Sequence, residues 1–141
     1  MSNSSLVVHT NISPNRTSPR NHKIDRFTIH CFVGAPSVES GCKAFAAKSK
    51  MASCNYYVAS DGKIGLVCPE SDRSWCSSNS ANDHRAITFE VASETKAPYK
   101  VTDDAISSLI RLLVDCCRRN DIERVLWFPE KTTALNYQPK Q

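Results

Sequence analysis

The chain has 141 residues, with 18 Lys plus Arg against 14 Asp plus Glu, and 40% of its residues are apolar. That length suits one domain with a modest core. A charged fraction of 23% and only four glycines exclude a collagen-like, low-complexity or wholly disordered chain, and no apolar run is long enough for a membrane-spanning helix.

Residues 1–23 are rich in Asn, Ser, Thr, Pro and Arg and read as an extended polar arm, without the basic start and long apolar stretch of a Sec signal peptide. The first fifty residues carry a net charge of +5 and the rest −1. A basic front suits either an anionic partner or a plain solvated tail. No aromatic interleaving or nucleic-acid-binding motif accompanies it, so no nucleic-acid partner is expected.

Ile24–Val33 alternates Phe27, Ile29 and Cys31 with Arg26, Thr28 and His30, the period of a strand. His30 therefore lies on the face opposite Phe27. Gly34–Pro36 ends this strand, and Ser37 caps a helix expected over Val38–Ser49. Asn55–Ala59 and Lys63–Cys68 form a hairpin across Ser60-Asp61-Gly62. Pro69–Ala81 reads as irregular, with Trp75 as its one large anchor. Arg85–Ala92 is a second strand, placing Ala86, Thr88, Glu90 and Ala92 on one face and Ile87, Phe89 and Val91 on the other. Thr102 caps a long helix with Asp103 and Asp104 in its first turn and Arg118-Arg119 at its end. Its apolar stripe is expected to be Ile106, Leu109, Ile110, Leu113, Cys116 and Cys117. Ile122–Phe128 reads as a last strand, and residues 129–141 as an irregular tail. Together these predict a single-domain α/β fold over residues 24–128, a central mixed β-sheet flanked by helices.

The seven cysteines (Cys31, Cys42, Cys54, Cys68, Cys76, Cys116, Cys117) include no C-x-x-C pair and read mainly as small buried hydrophobes. His30, just before a glycine turn, is either a half-buried histidine bonded to backbone or a metal ligand or acid–base group. Glu90 sits mid-strand among apolar neighbours. It is either a solvent-facing edge residue or a desolvated general acid–base. His84 reads as a loop residue; its pairing with Cys54 as base and nucleophile has nothing to fix its geometry. Trp75 either floors a cleft or anchors a loop.

Three segments, RFTIHCFVG, ASCNYYVASDGKIG and DRSWCSSNSANDHRAITFEVAS, in this order and spacing, resemble the zinc-dependent N-acetylmuramoyl-L-alanine amidases of the amidase-2 type. That group includes phage endolysins and is related to peptidoglycan recognition proteins. The resemblance covers roughly residues 12–128 and implies a mixed sheet with a zinc in a groove. It implies peptidoglycan as partner and hydrolysis of the amide between N-acetylmuramic acid and L-alanine. His30 matches the first zinc ligand, and Glu90, in ITFE, matches the catalytic carboxylate. Asn55 and Tyr56 match the strand pair lining the groove, and Trp75 and Asn79 fall in the loop that contacts glycan or stem peptide. Cys54 stands where many relatives carry a catalytic tyrosine. The other two zinc ligands of the family come from a later T-V-H and C-P-G segment. The chain stops at Gln141 before such a segment, and His84, His22 and His9 do not match its positions. The resemblance therefore implies an amidase domain incomplete at its C-terminal end, whose missing ligands would come from a complementing C-terminal segment, and whose exposed sheet edge and core surface would favour a dimer or aggregation. The alternative is a peptidoglycan-binding module without catalysis. The missing Sec signal suits an endolysin delivered through a holin, or an autolysin reaching the wall by another route.

Overall fold

The computed structural model describes residues 2–137. In chain order the elements are β1 (Val7–Thr10), β2 (Arg16–Thr17), β3 (Arg26–Val33), α1 (Val38–Lys43), a 3-10 turn at Lys48–Lys50, β4 (Tyr56–Val58), β5 (Ile64–Leu66), β6 (Arg73–Ser74), α2 (Ser80–Arg85), β7 (Ala86–Ser93), α3 (Asp103–Arg119) and α4 (Lys131–Asn136). Five strands form one mixed sheet in the order β1-β5-β4-β7-β3, and β2 pairs with β6 apart from it. β3, β7 and β4 run parallel, β5 returns antiparallel to β4 through the Asp-Gly turn, and β1 lies parallel to β5. Gly62 in that turn has φ +79°, a conformation open to glycine. The mixed α/β architecture is the one expected.

Each sheet face has its own core. One face packs Tyr56, Ile87, Phe89 and Val91 against Ala105, Leu112 and Cys116 of α3. The other packs Tyr57, Val67 and Ala92 against Val38, Cys42 and Phe45 around α1. This partition follows from strand alternation, since residues of opposite parity face opposite ways. Gly41 is what lets α1 lie so close. A Cβ there would come within 2.2 Å of the Tyr57 ring.

Several sequence expectations change, among them the irregular stretch Pro69–Ala81, which contains β6 and the start of α2. The arm over residues 1–23 is extended but woven into the fold. β1 is a strand of the main sheet, and Ser13, Asn15 and Arg20 are buried. Its polar side chains serve carbonyls elsewhere. Arg20 donates to the carbonyl oxygens of Glu70, Asp72, His84 and Ala86 at 2.7–3.0 Å. The helix expected over Val38–Ser49 stops at Lys43. Ser13 Oγ donates to the Phe45 carbonyl at 2.6 Å, and Asn15 Nδ2 to that of Ala47 at 2.9 Å. These bonds hold the stretch after α1 against the arm.

α3 is rotated relative to its expected stripe. Its buried line is Ala105, Ser108, Leu112 and Cys116, while Ile106 and Ile110 are 42% and 55% exposed. Finally, Ile122–Phe128 forms no strand. The Ile122 amide donates to the Cys117 carbonyl at 3.0 Å, prolonging the end of α3, and no sheet edge receives the residues that follow. The expected irregular tail contains α4, and its residues 138–141 lie outside the described residues.

Candidate functional site

The site is set by strand register. His30 of β3 pairs with Glu90 of β7, and Tyr57 of β4 pairs with the same Glu90. Residues paired across parallel strands share a face, so His30, Glu90 and Tyr57 stand in a row on the α1 side of the sheet. Tyr57 is fully buried. Its hydroxyl donates to the Pro36 carbonyl at 3.0 Å, and its ring meets Phe32 edge-on at 5.5 Å. Beyond this row a shallow cleft of about 290 Å³ opens, lined by Cys31, Phe32, Val33, Phe45, Lys50, Ala52 and Glu90.

Glu90 is the chemically distinct group here. Burial pushes its carboxyl up to about 7, against the opposing pull of the Cys76 thiol and the Lys50 ammonium. The Cys76 Sγ–H reaches Glu90 Oε1 at 3.9 Å, and that thiol is itself pushed up to about 12 by burial. It is a neutral donor rather than a nucleophile near neutral pH. His30 Nε2 is buried and has no hydrogen-bond partner. A buried imidazole nitrogen left without a partner is costly, which marks a place where a ligand group belongs.

A third element holds the loop beside Glu90. The buried Asp83 carboxylate accepts from the amides of Cys76 at 3.0 Å and Ser77 at 3.1 Å, and from the Ser77 hydroxyl. Asn82 Nδ2 donates across to Thr28 Oγ1 on β3 at 3.0 Å. Sequence reasoning missed Asp83, Cys76 and Lys50. The one available signal was the density of short hydrogen-bonding side chains over Ser77–Asp83, which marks a loop that bonds to itself.

The other site candidates are placed as follows. Tyr56 lies on the opposite face from Glu90. It pairs with Phe89, is fully buried, and its hydroxyl donates to Glu70. Asn55 is also buried and fully engaged. Its Nδ2 donates to the Cys68 and Pro69 carbonyls at 3.1 Å each, and its Oδ1 accepts from the Thr88 amide at 3.1 Å. Neither lines the cleft; both were read as groove residues because period and motif cannot show which face is open. Cys54 is fully buried in the α1-side core, and burial raises its thiol well above the ordinary range. Trp75 is half-buried. Its Nε1 donates to Thr17 Oγ1 at 3.0 Å, and its ring carries the Arg73 guanidinium at 5.9 Å. Asn79 is exposed and caps α2, with Oδ1 accepting from the Asn82 amide at 3.1 Å.

A three-ligand metal centre does not fit this donor set. Among the described residues no group of three His, Cys, Asp or Glu side chains could hold a metal ion. His9 belongs to β1, at the far edge of the sheet from β3. His22 Nδ1 lies 2.8 Å from the Lys23 carbonyl oxygen, and His84 Nδ1 accepts from the Asn21 amide at 3.1 Å. Only His30 stands beside Glu90, one imidazole where a catalytic zinc takes three protein ligands.

Comparison with known proteins gives the family and the fold. The family model described as N-acetylmuramoyl-L-alanine amidase matches residues 5–127. No curated protein matches the chain in sequence. Among solved structures the fold is similar to AmpD at 15% identity, with a TM-score of 0.63 over 86% of this chain and 82% of that one. It is similar to PlyL at 12% identity, TM-score 0.68, over 82% and 75%. It is also similar to the endolysin amidase LysCS from Clostridium intestinale at 18% identity, TM-score 0.54, over 82% and 78%. At these identities the structures speak for the fold. The family match spans most of the chain, the whole sheet and both strands of the His30–Glu90 row, and on that ground the chain belongs to the N-acetylmuramoyl-L-alanine amidase family.

Proposed function

We propose that the His30–Glu90 face binds bacterial peptidoglycan. The chemistry it is built for is hydrolysis of the amide joining the lactyl group of N-acetylmuramic acid to L-alanine. One observation carries this reading: a half-buried imidazole whose buried Nε2 has no partner and a desolvated carboxylate share one face, on adjacent strands, at the same register. A carboxyl titrating at about 7 is ionised and protonated in similar measure near neutrality. Glu90 can take a proton from the attacking water as its oxygen bonds to the amide carbon. It can then return that proton to the leaving nitrogen as the C–N bond breaks. His30 Nε2 is the nearby group available to a substrate oxygen or to a metal ion. The zinc implied by the resemblance would polarise the carbonyl and the water. The described residues supply one imidazole for it and not three ligands. Trp75 and Asn79, on the loop leading to and from Cys76, are proposed to meet glycan or stem peptide at the rim.

The incomplete donor set favours a second reading for this chain taken alone, in which the face binds peptidoglycan and cleaves it weakly or not at all. Co-sedimentation with purified sacculi, run beside dye release from labelled sacculi, separates the two. The expected result is retention on sacculi with little release, and well under one zinc per chain by elemental analysis. Failure to be retained would contradict peptidoglycan as the ligand. One tightly held zinc with strong dye release would overturn the argument from the donor set.

A further inference from the structure

Two of the side chains that line the cleft carry charge, Glu90 and Lys50, and the rest of the lining is uncharged. Lys50 is exposed and forms no ion pair among the described residues. The sequence around it supplies no carboxylate either. Between Glu39 and Asp61 the charged residues are Lys43, Lys48 and Lys50. The Lys50 ammonium stands near enough to draw the Glu90 carboxyl down against the effect of burial. Phe32, Val33, Phe45 and Ala52 give the cleft an apolar wall.

The backbone beneath Lys50 is held from both sides. Lys50 ends the 3-10 turn, and its amide donates to the Ala47 carbonyl at 3.0 Å. Buried Asn15 donates to the same carbonyl through Nδ2 at 2.9 Å, and its own carbonyl accepts from Ser53 Oγ at 2.6 Å. Ser53 Oγ also accepts from the Trp75 amide at 3.0 Å. The turn is thus tied to the arm and to the loop that carries Cys76, and the root of the Lys50 side chain has a fixed place at the cleft.

We propose that Lys50 determines specificity by binding the free α-carboxylate of the residue after L-alanine, so that the cleft selects stem peptides in which this group is not amidated. The inference rests on the peptidoglycan reading of the Glu90 face. In a peptidoglycan stem that residue is D-glutamate, joined onward through its γ-carboxyl. Its α-carboxyl is left either free or capped as a carboxamide. The α-carboxyl carbon lies two residues beyond the scissile carbonyl, about 7 Å along an extended chain. With the scissile amide at Glu90, Lys50 is the lining residue whose charge is opposite to that carboxylate. An ammonium attracts a carboxylate by a full charge and a carboxamide only by its dipole, and an apolar wall lowers the dielectric around both. Selection is the difference between those two affinities.

The test titrates the full chain with two soluble muramyl tripeptides. One is N-acetylmuramyl-L-alanyl-γ-D-glutamyl-L-lysine with its glutamyl α-carboxyl free, and the other is the same molecule with that group as the carboxamide. The free acid should bind at least about tenfold more tightly. Lys50→Met, at an exposed position, should abolish the preference by weakening the acid form alone, and Lys50→Arg should keep it. Lys48→Met removes an equal charge that does not line the cleft, and should leave the preference intact. Equal affinity of the parent for the two tripeptides, or a preference that survives Lys50→Met, would overturn the proposal and leave the peptidoglycan reading standing. A preference lost as fully in Lys48→Met would also overturn it, since a general field would then be acting. Binding of neither tripeptide would remove the peptidoglycan reading, and this proposal with it.

Discussion

Glu70→Ala is expected to lower folding stability by about 3–5 kcal/mol, the range for breaking one side of a buried ion pair. Glu70 is fully buried. Its two oxygens accept from Arg119 at 2.6 and 2.8 Å and from Asn120 at 3.4 Å, with the Tyr56 hydroxyl on Oε1. The Cys116 thiol also donates to Oε1 at 3.7 Å. The arm is tied to the same point. The Glu70 amide donates to Asn3 Oδ1 at 2.9 Å, the Ser4 amide to the Tyr56 hydroxyl oxygen at 2.9 Å, and Arg119 to the Ser2 carbonyl. Removing the carboxylate leaves the Tyr56 phenol without its acceptor and the Arg119 guanidinium with Asp115 as its remaining carboxylate partner, and a buried polar group left unsatisfied costs more than a lost contact. Urea unfolding should show a large drop in midpoint for Glu70→Ala and for Arg119→Met. The double variant Glu70→Leu with Arg119→Met should recover part of the loss, because the buried carboxylate and its guanidinium leave together and only the part-exposed Asp115, bonded to Arg119 at 2.8 Å, loses a partner. Additive losses in the double variant would show that the network is not acting as a unit.

The second large effect is a pH dependence centred on Glu90. Its carboxyl titrates at about 7 in the folded chain against an ordinary 4.5, because burial disfavours the ionised form. The folded state therefore holds this proton more tightly than the unfolded chain does. Stability from this group is greatest below pH 4.5 and falls as pH rises from 4.5 to about 7; above that it stays at the lower level. Glu90→Gln removes the decline. The variant should match the parent in acid and exceed it near about pH 8 by about 1–2 kcal/mol, a figure reduced from the full shift because the carboxyl is partly solvated. In any form of the domain that cleaves, the same substitution should cost ~10²–10⁴ in dye release, the usual worth of a positioned proton carrier. Equal stability of parent and variant across the whole range would mean that Glu90 is solvated and unsuited to the role.

Much of the sheet was legible because alternation states which residues share a face. Thr28, His30 and Phe32, and Thr88, Glu90 and Ala92, are separated from their neighbours by parity alone. What alternation cannot give is the partner strand. His30 and Glu90 lie some sixty residues apart in sequence, and only the parallel β3–β7 register brings them level. The arm was misread for a different reason. Ser13, Asn15 and Arg20 are buried through hydrogen bonds to carbonyls, and a hydropathy pattern counts such residues as surface. Ile122–Phe128 has the composition of a strand but pairs with none of the described strands, because composition states a propensity and not a tertiary partner. Asn55 and Tyr56 were assigned to the groove through the motif that contains them. The structure spends Asn55 on backbone carbonyls and turns Tyr56 toward Glu70.

The most direct test of the Glu90 face as the peptidoglycan site is a titration of the isotope-labelled chain with a soluble muramyl peptide, followed by NMR. The His30 imidazole resonances should move together with the backbone amides of Glu90, Phe32 and Cys76, while Tyr56 and Arg119 on the far face stay still. Shifts confined to the Tyr56–Arg119 side, or none at saturating peptide, would contradict the account.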